Sequence, residues 1–347
     1  MKGGLELPLP NVAKAKNDET FRKYLSLCTL VVQNSALVLL LRYSRIVQQP
    51  GQPLYIASTV VFFAEIMKFL VCLYFLYKES GKWSIFVSTV NEELIENFSD
   101  INKMVIPSGL YAIQNNLLFV ALSNLEAATF QITYQMKILS TALFSVILLG
   151  KRLSRNKWVS LVLLMVGVIL VQLPASKGVT STTDEETSLV NGQNPFIGLI
   201  AVIAACLSSG FAGCYFEKML KRNSTSMWVR NIQLGIPGTL FSLIAMMFND
   251  GQAIASQGFF QGYDLLTWVV VVNQALGGLL VAVVVKYADN ILKGFATSLS
   301  IIISSVISFY LFNFHPSPQF ALGALIVITS TFMYGRPERT PPTSPTL

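Results

Sequence analysis

Apolar residues along this chain do not alternate with polar ones at the period of a strand or of a half-buried helix. They gather instead into runs long enough to cross a membrane, for which roughly 20 residues suffice. Read with that window, the sequence predicts ten spans, at 24–45, 54–77, 104–123, 127–149, 156–173, 196–217, 227–248, 265–287, 292–313 and 318–335. The polar stretch Asn124–Glu126 is so short that the third and fourth spans must form a tight hairpin. The stretch 174–194, with Asp184, Glu185, Glu186 and several Ser and Thr, is the one long polar connection in the middle and reads as a flexible linker. The fold class expected is an all-α membrane protein.

Composition agrees. Of 347 residues 53% are hydrophobic and only 12% charged, with mean hydropathy +0.57, whereas soluble domains carry about 25% charged residues. The net charge of +7 comes from residues that flank the apolar runs, so it does not indicate a nucleic-acid surface. It does set an orientation. Of the 25 Lys and Arg, 20 fall in the N-terminal tail, the C-terminal tail and the loops after the even-numbered spans, and three fall in the other loops. The positive-inside rule then puts both termini in the cytosol, as an even span count requires. The sequons Asn97-Phe98-Ser99 and Asn223-Ser224-Thr225 fall on that side and should carry no glycan. Residues 1–23 read as a polar cytosolic tail without a cleavable signal, and 336–347 as a proline-rich cytosolic tail. Cys28, Cys72, Cys206 and Cys214 lie in apolar stretches without metal-ligand spacing, and His315 is the sole histidine, so no metal or cofactor is expected.

The linker divides ten spans into five and five, a first repeat over 24–173 and a second over 195–335. Units with an odd number of spans insert in opposite directions, which is the inverted-repeat plan of many secondary transporters, with substrate near the midplane between the halves. Polar placement is parallel in the two halves: Tyr111 and Asn115 precede Lys137 in the first, Asn273 and Gly277 precede Lys293 in the second.

An ionisable group at mid-membrane costs ~2.5–3.5 kcal/mol on insertion scales and usually faces a cavity or a partner. Lys137 lies deep in the fourth span, on one helical face with Phe130, Thr133 and Tyr134, a combination suited to stacking a base and holding a phosphate; pairing with Glu65 is the structural alternative. Lys293 opens the ninth span with Thr297, Ser300 and Ser304 on its face, suited to an anionic, hydroxyl-rich ligand, or else snorkels to water. Glu65 and Lys68, at i and i+3, read as a structural or gating ion pair. Tyr111, Asn115 and Asn273 can read a base edge or a sugar, or bond neighbouring helices. Ser208, Ser209, Gly210, Ala212 and Gly213 form a small-residue patch for close packing or close ligand approach, and Arg230, beside Asn231, reads as an interface anchor. Two ammonium groups in one cavity match a diphosphate and suit exchange of one anion for another.

Five stretches carry a resemblance to the nucleotide-sugar transporter family: Tyr111-Ala-Ile-Gln-Asn-Asn116, Ala128-Thr-Phe-Gln-Ile-Thr-Tyr-Gln-Met-Lys-Ile138, Ser208-Ser-Gly-Phe-Ala-Gly213 with Tyr215-Phe-Glu-Lys218, Trp228-Val-Arg-Asn-Ile-Gln233, and Lys286-Tyr-Ala-Asp-Asn-Ile-Leu-Lys-Gly-Phe-Ala296. They occur in order and the resemblance covers about residues 22–335. It implies the ten-helix drug/metabolite-transporter fold in the Golgi membrane, and exchange of cytosolic nucleotide sugar for lumenal nucleoside monophosphate. It further implies phosphate recognition by Lys137 and Lys293, nucleotide binding by Tyr111 and Asn115, and a cavity lined by Asn231, Gln233 and the Ser-Ser-Gly patch. Homodimers and complexes with Golgi glycosyltransferases are the protein partners to expect. Asn273-Gln-Ala-Leu-Gly-Gly278 resembles the UDP-galactose branch, while Gly258-Phe-Phe-Gln-Gly-Tyr263 and Pro107-Ser-Gly109 resemble the UDP-N-acetylglucosamine branch. The CMP-sialic acid branch is less similar, since Phe130 stands for its tyrosine and Pro237 for its serine. UDP-sugar exchange for UMP is therefore the leading expectation. A carrier of another metabolite, a membrane-embedded transferase and a scaffold are the alternatives; a transferase would need a carboxylate cluster that the spans lack.

Overall fold

The computed structural model describes residues 12–46, 55–173, 194–222, 225–312 and 317–336. Twelve α-helices follow in chain order: α1 Val12–Ile46, α2 Ala57–Ser80, α3 Trp83–Val90, α4 Phe98–Asn124, α5 Ala127–Tyr134, α6 Met136–Leu149, α7 Arg155–Gln172, α8 Pro195–Arg222, α9 Met227–Gln257, α10 Leu265–Tyr287, α11 Asn290–Phe312 and α12 Pro318–Gly335. Among the described residues there is no strand, and ten spans are long and apolar enough to cross a membrane, the fourth of them made by α5 and α6 together. The chain is a multi-pass membrane protein. Helices are the only open-ended elements that satisfy every backbone polar group within lipid.

The structure departs from the sequence reading in a few places. The first helix starts well before residue 24, α9 runs on to Gln257, and a short helix α3 with a π-helical turn, Asn91–Glu96, fills the connection before the third span. The fourth span is broken at Gln135. Cys72, Cys206 and Cys214 are buried as expected, but Cys28 is exposed on the outer surface of α1. Most of the linker 174–194, His315 and the sequon residues Asn223 and Ser224 lie outside the described residues.

Helix ends follow local chemistry. Gly81 and Gly150 close α2 and α6 in the left-handed conformation, at φ 69° and 64°, which costs an L side chain but not glycine. Asp264 and Thr267 form a reciprocal capping box on α10, and Ser317 caps α12 with Pro318 in its first turn. Packing then uses small residues, because lipid offers no hydrophobic drive for helices to associate. Where α7 crosses α12, a Cβ on Gly167 would stand 3.0 Å from the Gly323 carbonyl oxygen, and one on Gly323 would stand 2.8 Å from that of Gly167.

The helix pairs come in matched sets. α4 packs on α8 and α10 on α1; α6 on α8 and α11 on α1; α4 on α9 and α10 on α2. Exchanging the first five spans for the last five converts each pair into the other. α2–α9 and α7–α12 also pack, and the same exchange maps each onto itself. This is the contact pattern of two equivalent five-span halves.

Candidate functional site

Between the halves lies a cleft with two chambers. The larger, about 1120 Å³, is walled by α2, α4, α9 and α10. The smaller, about 400 Å³, is walled by α1, α5, α6, α7 and α11. Tyr111 and Lys293 line both chambers and so mark where they adjoin.

Glu65, Lys68, Asn115 and Asn231 line the larger chamber. The Lys68 ammonium lies 2.6 Å from Glu65 Oε1, so this cation is neutralised on its own helix, as the spacing predicted. Lys68 reaches across Gly278, where a Cβ would meet its Cδ at 2.6 Å. Towards one end of the chamber Asp250 accepts a hydrogen bond from Ser58.

Tyr134, Lys137, Ser209, Thr297 and Ser300 line the smaller chamber. The Lys137 ammonium stands 4.1 Å above the centroid of the Tyr134 ring, a cation–π contact. Phe130 stacks beneath that ring at 5.6 Å and 11°. Phe130 lines neither chamber; it packs with Ala121, Ala201, Val202 and Cys206 and supports the tyrosine. Neither Lys137 nor Lys293 is in an ion pair among the described residues. Two unpaired ammonium groups on one wall leave an excess of positive charge in a low-dielectric site, which an anion with two charged groups would satisfy.

The structure places four other sequence candidates away from both chambers. Gly210 lies at the α6–α8 crossing, where its Cβ would stand 2.8 Å from the Ser140 carbonyl carbon. Gln233 is fully buried, accepting from Arg230 at 2.8 Å and donating to the Glu93 carbonyl at 2.9 Å. Asn273 takes the Gln33 amide at 2.8 Å, and Gly277 accommodates the same glutamine at the α1–α10 crossing. Each of these serves helix packing. Arg230, near the start of α9, does not reach outward: it is buried and pairs with Asp100 at 2.7 Å.

The chambers also hold residues that the sequence reading passed over. Asn34, Gln135, Gln172 and Asn290 line the smaller one, and Asn116, Phe119, Phe216 and Phe241 the larger. Asn34 carries the same signal as Asn115, an amide inside an apolar span. The phenylalanines carry none, because a cavity-lining ring and a lipid-facing one look alike in sequence.

A helical membrane protein with a central, cationic cleft between two matched halves is built as a carrier. Its family follows from comparison with known proteins. Residues 17–335 match the nucleotide-sugar transporter family, and the chain belongs to it. It is 54% identical over 318 residues to the UDP-N-acetylglucosamine transporter of Rattus norvegicus, covering 90% of this chain and 95% of that one. It is 52% identical to the human protein of that name over 316 residues, covering 90% and 95%. It is also 52% identical over 317 residues to the human UDP-galactose translocator, covering 91% of this chain and 78% of the other. A solved structure superposes with TM-score 0.61 over 90% of this chain and 96% of its own, at 14% identity, and shows the shared fold.

Proposed function

We propose that this protein exchanges a cytosolic UDP-sugar, UDP-galactose or UDP-N-acetylglucosamine or both, for lumenal UMP across the Golgi membrane by alternating access. Relatives named for each of the two sugars match at nearly equal identity, so the reading keeps both. The observation that carries it is the placement of Lys137 and Lys293, neither in an ion pair, on the wall of one chamber. In this reading the two ammonium groups hold the phosphates. Tyr111, where the chambers adjoin, and Asn115 contact the nucleotide, and the Tyr134 ring steadies Lys137. Glu65 and Lys68 act as a structural or gating pair. The repeats run over 24–173 and 195–335 with both termini cytosolic, and the linker 174–194 is lumenal.

Vesicles preloaded with UMP test the proposal. Uptake of labelled UDP-galactose or UDP-N-acetylglucosamine should rise with internal UMP. Lys137→Ala and Lys293→Ala should each cut that uptake about tenfold or more, since a charge-assisted hydrogen bond contributes ~1.5–3 kcal/mol. UMP-independent uptake sinks the exchange reading. Full uptake by both variants sinks the phosphate assignment.

A further inference from the structure

The break in the fourth span is made by neither glycine nor proline. Residues 127–149 contain neither Gly nor Pro, the residues that usually break a helix, yet α5 ends at Tyr134 and α6 begins at Met136. Around Gln135 the backbone tightens to i, i+3 bonding: the Gln135 N–H donates to the Ile132 carbonyl at 3.2 Å, and the Ile138 N–H to the Gln135 carbonyl at 3.0 Å. Within the span, the Thr133 hydroxyl bonds back to the Thr129 carbonyl and the Thr141 hydroxyl to that of Lys137, each at 2.8 Å, and such bonds bend a helix; neighbouring helices act on the turn as well. Two groups hold it. The buried Gln135 side chain donates its amide to Gln172 Oε1, at the end of α7, at 2.8 Å. On the other side, the buried Cys206 thiol of α8 lies 3.4 Å from the Tyr134 carbonyl oxygen and 3.9 Å from that of Thr133.

The tight turn has a consequence for the site. In an α-helix, residues three apart are offset by about 60° around the axis; in a 3₁₀ turn they eclipse. Tyr134 and Lys137 are three apart across this turn, and the ammonium stands 4.1 Å above the ring. Relaxing the turn to α would swing the lysine off the tyrosine and change its direction into the chamber.

We propose that Gln172 is a positioning residue for Lys137: by accepting the Gln135 amide it holds the turn that sets the lysine over Tyr134 and aims it at the phosphates. This rests on the reading of Lys137 as a phosphate ligand. Although Gln172 also lines the smaller chamber, the role assigned to it acts through Gln135.

The test is UMP exchange in reconstituted vesicles, with KM and maximal rate measured separately. Gln172→Leu removes the acceptor and should raise KM for UMP about tenfold while leaving the maximal rate within about threefold. Gln172→Glu restores an acceptor of the same reach and should return KM to within about threefold of the parent. Gln172→Asn keeps an amide one methylene too short, should behave like the leucine variant, and decides the matter if that variant does not fold. An unchanged KM in the leucine and asparagine variants overturns the proposal, as does a glutamate variant as poor as the leucine one. A different failure, absence of UMP exchange in the parent protein, overturns the phosphate-site reading instead.

Discussion

Arg230 is 1% exposed inside a protein whose spans carry few charges. Burying a guanidinium is tolerable only when its charge is matched and its donors are used. Asp100 takes one nitrogen at 2.7 Å, Gln233 lies 2.8 Å from the same nitrogen, and Thr225 is 3.3 Å from the other. Asp100 also takes Lys103 at 2.7 Å. This cluster joins α4 to α9, so its contribution is to tertiary structure. Asp100→Asn removes a countercharge and should destabilise the protein by about 3 kcal/mol, the low end for breaking a buried pair, because the other partners remain. Thermal melts in detergent check it. Adding Arg230→Gln should recover part of the loss, because the guanidinium that lost its Asp100 partner is then gone. Sequence alone could not find the pair. Both residues sit near span ends, where an arginine ordinarily reaches the interface, and 130 positions separate them.

Among the elements, apolar runs were enough to number and order the spans, because span length is dictated by the bilayer. They were not enough for the fourth span, whose break contains neither Gly nor Pro, nor for α3 and its π-helical turn, which are too short to register in a span-length window. The site was legible to the extent that it consists of charges and amides inside apolar runs. Lys137, Lys293, Tyr111 and Asn115 line the chambers as that logic expects, while Asn273 and Gln233 obey the same logic and end on other helices. A polar group in a span needs a partner, and the sequence does not say whether the partner is protein or ligand. Asp264→Ala should cost about 1 kcal/mol of stability by uncapping α10. Asp264 lies in the turn before that helix, and the bond from the Thr267 hydroxyl, foremost, holds its carboxyl below the usual carboxylate range. A group held low contributes stability above its unfolded pKa, about 3.9 for Asp, and loses it only as pH falls through the lower folded value. The difference in melting temperature between parent and variant should thus be the same at about pH 7 and about pH 5, and shrink only in stronger acid. A difference that shrinks already between those two values would mean that the carboxylate is not held low.

For the whole molecule, charge placement and helix pairing lead to one topology. The Lys- and Arg-rich connections lie on one side, those following α2, α6, α8 and α10 together with both tails. The described helix pairs exchange under a swap of five-span halves, and five, an odd number of spans, gives consecutive halves opposite insertion. On the proposed Golgi orientation, the Lys- and Arg-rich side would face the cytosol and the connection 174–194 the lumen. N-glycosylation reports the side directly, because acceptor asparagines are modified only in the lumen of the secretory pathway. The sequon at Asn97 lies at the end of the π-helical turn, on the side proposed as cytosolic, so it should remain bare although its asparagine is exposed. Glu185→Asn, in the middle of the linker, completes an Asn-Glu-Thr sequon with Glu186 and Thr187. That variant alone should migrate more slowly on a gel and return to the parent's mobility after glycosidase treatment. A glycan on Asn97, or none on the linker variant, would reverse the orientation; the lysines would then be approached by UDP-sugar from the opposite end of the cleft. The pairing of helices would survive that result, because an inverted repeat looks the same from either side of the membrane. The direction of exchange would not, because only the distribution of positive charge tells the two sides apart.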